Sequence, residues 1–286
     1  MAEKTGIAWT DHTFNPWIGC TKVSAGCKFC YAERDNKRFG WVDGWGKGAM
    51  RKRTSAANWE KPIQWARKAS GEGVTRRVFC ASLADVFDPE VPHEWRTDLF
   101  RLIVTIKENF GNALEWLILT KRPENIADML TVHLPCIRLG VTAEDQENAD
   151  KRIPLLLENW RGKNFVSYEP ALGAVDFSYY LNGCPERVSA RSYVTRDMAL
   201  DAGYPEMEGS QISGDEWQQT APPIQWVIAG SESGSNRKTD IDWLRSVRDQ
   251  CAVARAPFFL KQAEVNGKLI KLPELDGQVW AQFPEV

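Results

Sequence analysis

Three cysteines lie close together near the start of this chain of 286 residues. Cys20, Cys27 and Cys30 have the spacing C-x6-C-x2-C, and the next cysteine along the chain is Cys80. Iron–sulfur clusters are held by cysteine thiolates, and an ordinary four-iron cluster takes four of them. Three thiolates leave one iron without a protein ligand, so that this iron can bind and activate a small molecule. The spacing therefore predicts a 4Fe-4S cluster that does chemistry as well as carrying electrons.

Two other interpretations of the cysteine segment stay open at this point. A C-x2-C pair is typical of one half of a structural zinc site, which is closed by four ligands, and His12 is a candidate for the fourth. The three thiols could also be unliganded. Gly19 and Gly26 each precede a cysteine, which lets the backbone wrap closely, and Phe29 comes directly before Cys30. This local composition favours a cluster over zinc.

The rest of the chain alternates between apolar strands and helices. The predicted strands are 6–10, 78–83, 116–120, 137–142, 164–168, 225–229 and 257–260, and the predicted helices include 31–38, 93–110, 146–160 and 240–254. Continuous apolar strands that alternate with helices are typical of a parallel sheet covered on its faces. We predict an α/β fold in one domain over 1–286, a partial or near-closed (β/α) barrel with a polar insertion at 174–223 before the penultimate strand.

Polar residues follow six of the predicted strands. The working groups of parallel α/β sheets and barrels lie where the strands end. A single polar residue at such a place is commonly a helix cap. Six polar strand ends that converge on the same mouth as the cysteine segment instead predict a site. Its candidate residues are Ser82, Asp85, Thr120, Lys121, Arg122, Thr142, Glu144, Ser167, Glu169, Ser231, Glu232, Lys261 and Gln262.

The segment 34–77 is basic and rich in tryptophan. It holds twelve Lys and Arg residues against four acidic residues, although the whole chain has a net charge of −2. Lysine and arginine contact phosphates, and indole rings stack on exposed bases, so this pattern is typical of a nucleic-acid-binding groove. The alternative is a solvated loop whose tryptophans pack on the outside of the barrel. The candidate nucleic-acid contacts are Trp41, Trp45, Lys47, Arg51, Lys52 and Arg53.

Composition excludes several classes of protein. Hydrophobic residues make up 43% and charged residues 26% of the chain, as in ordinary globular proteins. No apolar run reaches the roughly 20 residues that span a bilayer, and the first residues lack the apolar stretch of a secretion signal. The seven cysteines are odd in number and three are clustered, which argues against a disulfide framework. We expect a cytoplasmic protein with no membrane partner.

Several segments resemble one known family. Cys27-Lys-Phe-Cys30 is similar to the end of the radical S-adenosylmethionine (SAM) signature, although the usual first spacing there is C-x3-C. The longer C-x6-C spacing and its flanks resemble the phage Gp37/Gp68-type three-cysteine-motif family (DUF5131). The matching segments are 15–20, 26–33, 119–123 (L-T-K-R-P), 167–173, 226–234, 258–262 and 275–277, with Ser231 in place of a glycine. The resemblance covers nearly the whole chain.

The resemblance implies a radical SAM enzyme on a (β/α) barrel of the radical SAM type. In such enzymes SAM binds the open iron, and electron transfer into its sulfonium yields a 5′-deoxyadenosyl radical that abstracts hydrogen from the substrate. The implied cluster ligands are Cys20, Cys27 and Cys30. The implied cofactor-binding residues are Phe29 beside the adenine, Asp85 at the methionine ammonium, Lys121 at the carboxylate, Glu144, Ser167 and Glu169 at the ribose, and Ser82 and Thr142 at the same strand ends. Lys121, Glu232 and Lys261 are the candidate catalytic residues, and Arg122 is also left for the substrate.

The resemblance and the basic segment together predict an isomerase or mutase that rearranges or modifies a nucleobase, such as a hypermodified thymidine in phage DNA. A base inside a duplex is out of reach, so the target must be flipped out or single-stranded. The expected partners are DNA or a nucleotide and an external one-electron reductant of the flavodoxin or ferredoxin kind, in the host cytoplasm if a phage encodes the chain. Two alternatives stay open: a zinc-stabilised, non-catalytic nucleic-acid-binding protein, and a radical SAM enzyme that acts on a peptide or small metabolite.

Overall fold

The computed structural model describes residues 5–130, 133–183, 222–234 and 237–285. Most of the predicted insertion at 174–223, including Cys184, lies outside the described residues. Its first part contains a short helix, Ser178–Leu181, whose Tyr180 and Leu181 are buried. The insertion therefore stays a prediction beyond that helix.

One eight-stranded sheet runs through the described residues, and its strands lie side by side in chain order. The first seven strands are parallel to their neighbours, and the eighth is antiparallel to the seventh. The strands are β1 (His12–Phe14), β2 (Arg76–Cys80), β3 (Leu114–Thr120), β4 (Ile137–Thr142), β5 (Lys163–Tyr168), β6 (Val227–Gly230), β7 (Phe258–Val265) and β8 (Lys268–Lys271). The sheet is curled into a half-barrel, and the fold is mixed α/β.

Helices connect the parallel strands and cover the outer face of the sheet. They are α1 (Tyr31–Phe39), α2 (Ala56–Trp59), α3 (Lys61–Glu72), α4 (His93–Phe110), α5 (Ile126–Met129), α6 (Gln146–Asn159), α7 (Ser178–Leu181) and α8 (Ile241–Ala254). A short antiparallel pair, Trp17–Ile18 with Lys52–Arg53, lies beside the sheet. In the ranges that the structure describes, no helix has the length and apolar content to cross a membrane.

The inner face of the half-barrel is filled by aromatic and aliphatic side chains. Successive residues of a strand point to opposite faces, so each strand serves two cores. The inner cluster takes Phe79, Leu117, Phe165, Ile228 and Phe259 from five strands, together with Trp9 and Trp226. Gly140 of β4 makes room for it, because a Cβ at that position would lie 2.4 Å from the Phe165 ring. Polar groups on the inner face are therefore confined to the two ends of the strands.

A largely buried cluster of charged residues, Glu115, Arg138 and Arg77, lies at the amino ends of the strands. Glu115 accepts from Arg138 at 3.0 Å and from Arg77 at 3.2 Å. The same two arginines donate to the backbone carbonyls of Glu285 and Pro284 in the C-terminal segment. The C-terminal segment thus covers the amino ends of the strands. The two arginines that pair with Glu115 also hold this segment in place.

The first strand is the place where the sequence prediction is wrong. The predicted strand 6–10 is not in the sheet, which begins with His12 paired to Val78. Trp9 instead packs inside the half-barrel, with its ring centroid 4.6 Å from that of Phe79. The run 6–10 is apolar because it plugs the half-barrel. The other six predicted strands and the four predicted helices named above are confirmed to within a few residues, whereas the sequence pattern does not predict the exposed strand β8.

Candidate active site

The three cysteines lie on one loop, residues 19–30, which we call the cysteine loop. Its first residue, Gly19, donates its N–H to the Leu83 carbonyl at 3.1 Å. Gly19 has a φ of 114°, and a Cβ there would lie 2.9 Å from Arg51 Cδ, so glycine is required. At the other end, Cys30 is the N-cap of α1, and the Tyr31 hydroxyl donates to the Ser82 carbonyl at 2.6 Å. Both ends of the loop are therefore fixed beside the carboxyl end of β2.

Arg122, two residues after β3, holds the start of the cysteine loop. Its Nη2 donates to the Thr21 carbonyl at 2.6 Å, and its Nη1 lies 3.8 Å from Cys20 Sγ. Burial opposes the charge of Arg122, but the charges around it, led by Asp85, raise its pKa. Arg122 is thus engaged with the loop and with Asp85, and its assignment to a substrate stays a prediction.

Asp85 is buried, and both of its carboxylate oxygens are used within the protein. They accept from Thr120 Oγ1 at 2.8 and 3.1 Å, from the Lys121 N–H at 3.1 Å and from Arg122 Nη1 at 3.0 Å. The Phe87 N–H donates to the same group at 3.0 Å. These donors fill the lone-pair positions of a carboxylate. Asp85 ties the end of β3 to Arg122 and through it to the loop, and its assignment to a ligand ammonium stays a prediction.

Glu144, two residues after β4, supports the middle of the cysteine loop. It is fully buried, accepts from Arg152 Nη1 at 2.6 Å and also accepts from the Ser24 hydroxyl. Although burial alone raises the pKa of Glu144, the charges of Lys121 and Arg152 and the Ser24 hydrogen bond hold it below its ordinary value. Gly26 packs against the same carboxylate, since a Cβ there would lie 2.5 Å from Oε1. Glu144 is thus an ionised support for the loop.

Cys20, Cys27 and Cys30 are free thiols, each partly exposed. Burial, followed by the charge of Asp85, raises the pKa of the Cys20 thiol to about 12. In the described parts of the chain, no three Cys, His, Asp or Glu side chains are grouped so as to hold a metal ion. His12, the candidate fourth zinc ligand, lies in β1 with its ring stacked on Trp65 at 4.4 Å between centroids. The donor types still match a cluster, because thiolates are the ligands that iron–sulfur clusters take.

A row of polar residues crosses three strand ends on the inner face of the sheet. Thr142 pairs with Ser167, and Thr120 pairs with Val141, so that Lys121 comes next to Thr142. The Thr142 hydroxyl is buried and has no hydrogen-bond partner among the described residues, and the same holds for the Ser231 hydroxyl after β6. The described residues give the Lys121 ammonium no ion pair, although its charge acts on Glu144. Unpaired buried hydroxyls are uncommon in native proteins, so these groups are candidate ligand contacts.

Other predicted site residues already have protein partners. Lys261 Nζ lies 2.8 Å from Glu169 Oε1, and Ser167 Oγ donates to Glu169 Oε2 at 3.5 Å. The Ser82 hydroxyl accepts from Asn15 Nδ2 at 3.0 Å. These contacts join the end of β5 to the end of β7, and the end of β2 to the residue after β1. Two further residues meet on the loop, where Phe29 lies under the guanidinium of Arg237 and Glu232 pairs with that same arginine.

Comparison with known proteins decides the family. The family model described as a protein of unknown function (DUF5131) matches residues 4–284. The chain belongs to the DUF5131 family. No curated protein and no solved structure gives a significant match.

In this DUF5131 protein, the six candidate nucleic-acid contacts have different environments. Arg51 is buried, with its side chain 1% exposed, and it pairs with Asp88 through Nε at 3.1 Å and Nη2 at 2.7 Å. Its other donors reach the Gly46 and Ala49 carbonyls and the Thr21 hydroxyl. Arg51 therefore holds the backbone beside the cysteine loop, and the expectation that it contacts phosphates is corrected.

The remaining members of this set are on or near the surface. Lys47 and Lys52 are exposed, and Trp45 is half-buried. Arg53 pairs with Asp98 at 2.6 Å and lies 4.2 Å from the Trp59 ring centroid. The half-buried Trp41 stacks on Phe39 at 5.2 Å between centroids, and Phe39 is 55% exposed. This surface therefore offers an exposed aromatic ring, Phe39, and two exposed lysines, Lys47 and Lys52.

Three residues of the DUF5131 site were not singled out by sequence reasoning. Ser24 and Arg152 bond Glu144, and Arg237 bonds the loop at Ala25. Arg152 lies on α6, eight residues after Glu144, among the positions of that helix that are buried and otherwise apolar. A charged residue within an apolar helical stripe is the sequence signal that could have identified it. Ser24 and Arg237 carry no such signal, because their partners are remote in sequence.

Proposed function

We propose that this protein is a radical SAM enzyme that binds a 4Fe-4S cluster through Cys20, Cys27 and Cys30 and modifies a nucleobase, by an isomerase-type rearrangement. The observation that carries the proposal is the position of the cysteine loop. Residues after β2, β3, β4 and β6 all bond to it, so the loop is held at the same ends of the strands as the buried hydroxyls of Thr142 and Ser231.

The groups of the chain match these cofactors in chemical type. Three thiols leave one iron position open, and when bound the cluster and SAM supply one-electron chemistry. The ammonium of Lys121, which has no ion pair among the described residues, suits a carboxylate, because charge-assisted hydrogen bonds are the strong ones. The hydroxyls of Thr142 and Ser231 have no partner in the part of the chain that the structure describes, and they suit a hydroxyl or amino group of a ligand. Lys121, Thr142 and Ser231 are therefore the residues that we assign to cofactor or substrate.

The rest of the mouth orients these groups and excludes water. Glu169 and Lys261 form an ion pair that fixes both charges at the ends of β5 and β7. The inner aromatic cluster fills the half-barrel beneath them. Such a floor keeps solvent from reaching the site through the sheet, which protects a reactive intermediate from side reactions. Electrons come in this proposal from an external one-electron reductant of the flavodoxin or ferredoxin kind.

A nucleobase substrate is supported by the surface beside the loop. Exposed Lys47 and Lys52 suit phosphates, and the exposed Phe39 ring, stacked on Trp41, suits an unpaired base. Enzymes that act on a base inside a duplex must flip it out or use single strands. The substrate in this proposal is therefore a flipped or single-stranded nucleotide, for example a modified thymidine of phage DNA.

Cleavage of SAM tests the proposed reaction. Protein reconstituted anaerobically with iron and sulfide is mixed with dithionite, SAM and a single-stranded DNA oligonucleotide, and 5′-deoxyadenosine is measured by mass spectrometry. We expect product from the wild type and from Cys251→Ala, a matched change at a buried thiol in α8, and none from Cys27→Ala. Equal product from Cys27→Ala, or none from any form, contradicts the proposal. Stimulation by peptides or metabolites but not by oligonucleotides contradicts the substrate assignment alone.

A further inference from the structure

Arg237 joins the segment after β6 to the cysteine loop by three kinds of contact. Its Nε donates to Glu232 Oε2 at 2.7 Å, and its Nη2 contacts Glu232 Oε1. Its Nη1 donates to the Ala25 carbonyl at 3.0 Å. Its guanidinium carbon lies 4.9 Å from the Phe29 ring centroid. One guanidinium therefore binds a carboxylate, a backbone carbonyl and an aromatic face.

These contacts fall on both sides of Cys27. Ala25 comes two residues before it, and Phe29 comes two residues after it. The other cysteines have different supports, since Arg122 bonds the backbone next to Cys20 and Tyr31 follows Cys30 at the start of α1. Each ligand cysteine is thus flanked by its own tether to the strand ends, and the tether of Cys27 is Arg237.

Glu232 serves this tether and is not a free acid or base. It is nearly buried, and both of its oxygens are engaged by Arg237. A bidentate pair fixes the plane of the guanidinium, which leaves Nη1 directed to the carbonyl and the flat face available to the ring. The catalytic role that the sequence suggested for Glu232 is therefore replaced by one of orientation.

We infer that Arg237, oriented by Glu232, is a positioning residue that holds Cys27 ready to take the cluster. The claim about what Cys27 binds rests on the proposed function, whereas the claim that Arg237 fixes Cys27 does not. The arginine fork is essential to this role. A lysine could pair with Glu232 but could not hold the carboxylate, the Ala25 carbonyl and the Phe29 face together.

The test measures the reactivity of individual thiols in metal-free protein. A short pulse of iodoacetamide is followed by peptide mass spectrometry, which gives the alkylation rate of each cysteine separately. In Arg237→Ala we expect Cys27 to be alkylated about tenfold faster, the size expected when a segment loses a hydrogen bond to a charged group. Arg237→Lys and Glu232→Gln should give smaller increases. Arg101→Ala, on exposed α4 surface, should change nothing.

Cys251 inside α8 reports general loosening of the fold. An unchanged alkylation rate of Cys27 in Arg237→Ala overturns the inference. An equal acceleration of alkylation at Cys251 also overturns it, because the substitution would then loosen the whole fold and not the cysteine loop in particular. A second readout is the rate at which a chelator removes iron from reconstituted protein, which should rise in Arg237→Ala and partly recover in Arg237→Lys. If the wild type takes up no iron, the proposed function fails, while the alkylation rates still decide the role of Arg237.

Discussion

Replacement of Gly26 by alanine should loosen the cysteine loop without unfolding the protein. The added Cβ would lie 2.5 Å from Glu144 Oε1, 2.9 Å from Cδ and 3.3 Å from Cγ. The closest of these is about 1 Å short of an ordinary van der Waals contact. Glu144 is fully buried and bonded to Arg152 at 2.6 Å, so the carboxylate is held in place and the loop must move.

The size of the effect follows from this geometry. Inserting a methyl group into a packed site typically costs about 1–3 kcal/mol. Movement of the loop also stretches the Ser24 hydrogen bond to an ionised Glu144, and bonds to charged groups are worth about 1.5–3 kcal/mol. The middle of the range for the methyl group alone, about 2 kcal/mol, raises the loop-opening equilibrium by about 30-fold, and any loss at the Ser24 hydrogen bond adds to this rise. Gly26 does not have a positive φ, so the alanine backbone adds no strain of its own.

Hydrogen exchange of metal-free protein, read by mass spectrometry on the peptide that contains 20–31, measures this opening directly. The control is Gly71→Ala in α3, where a Cβ meets nothing within 4 Å. We expect faster exchange of the loop in Gly26→Ala, and no change there in Gly71→Ala. Unchanged exchange in Gly26→Ala would refute the view that the loop rests tightly on Glu144.

Three further predictions concern the surroundings of the loop. Arg51→Ala should lower the free energy of unfolding by about 3–5 kcal/mol in urea denaturation, because Asp88 is left buried without its ion pair. The control Lys52→Ala, at an exposed position, should change this free energy by no more than about 0.5 kcal/mol. Equal losses in the two variants would contradict the burial of Arg51. The pKa of Glu144 is lower in the folded protein than its ordinary value of 4.5, so the ionised group stabilises the fold at pH values above 4.5. This stabilisation is lost as the pH falls through the pKa of Glu144 in the folded protein. Glu144→Gln should therefore flatten the decline in stability on acidification, and an unchanged acid limb would argue against an ionised Glu144. Replacing Lys47 and Lys52 together by alanine should make the slope of log K against log salt for single-stranded DNA less negative by about 0.7 for each lost phosphate contact, and an unaltered slope would place the phosphates elsewhere.

The sequence predicts the sheet well where strands are buried on both faces. The strand Ile137–Thr142 was predicted to the residue, because its side chains are buried on both sides and leave an unbroken apolar run. The run 6–10 has the same appearance, yet Trp9 fills the half-barrel instead of pairing. Apolar character reports burial, and burial has more than one structural cause.

The supports of the site lie beyond what sequence patterns reveal. Ser24 and Glu144 are 120 positions apart, and Arg237 and Ala25 are 212 apart, so no local periodicity relates them. Charge runs have a similar limit. The run 51–53 predicted nucleic-acid contacts, with a solvated loop as the alternative, but Arg51 is buried in an ion pair while Lys52 next to it is exposed. Strand ends predict which residues reach the mouth, and only the folded chain shows which of them are already engaged.

The metal content of anaerobically reconstituted protein tests the central claim most directly. Iron, acid-labile sulfide and zinc are measured per chain for the wild type, Cys27→Ala and Cys251→Ala, together with the absorbance in the visible range. We predict about four irons and four sulfides per chain with brown colour in the wild type and in Cys251→Ala, and loss of both in Cys27→Ala. A colourless wild-type protein with one zinc per chain, or iron retained in Cys27→Ala, would contradict the assignment of the cysteine loop to a cluster.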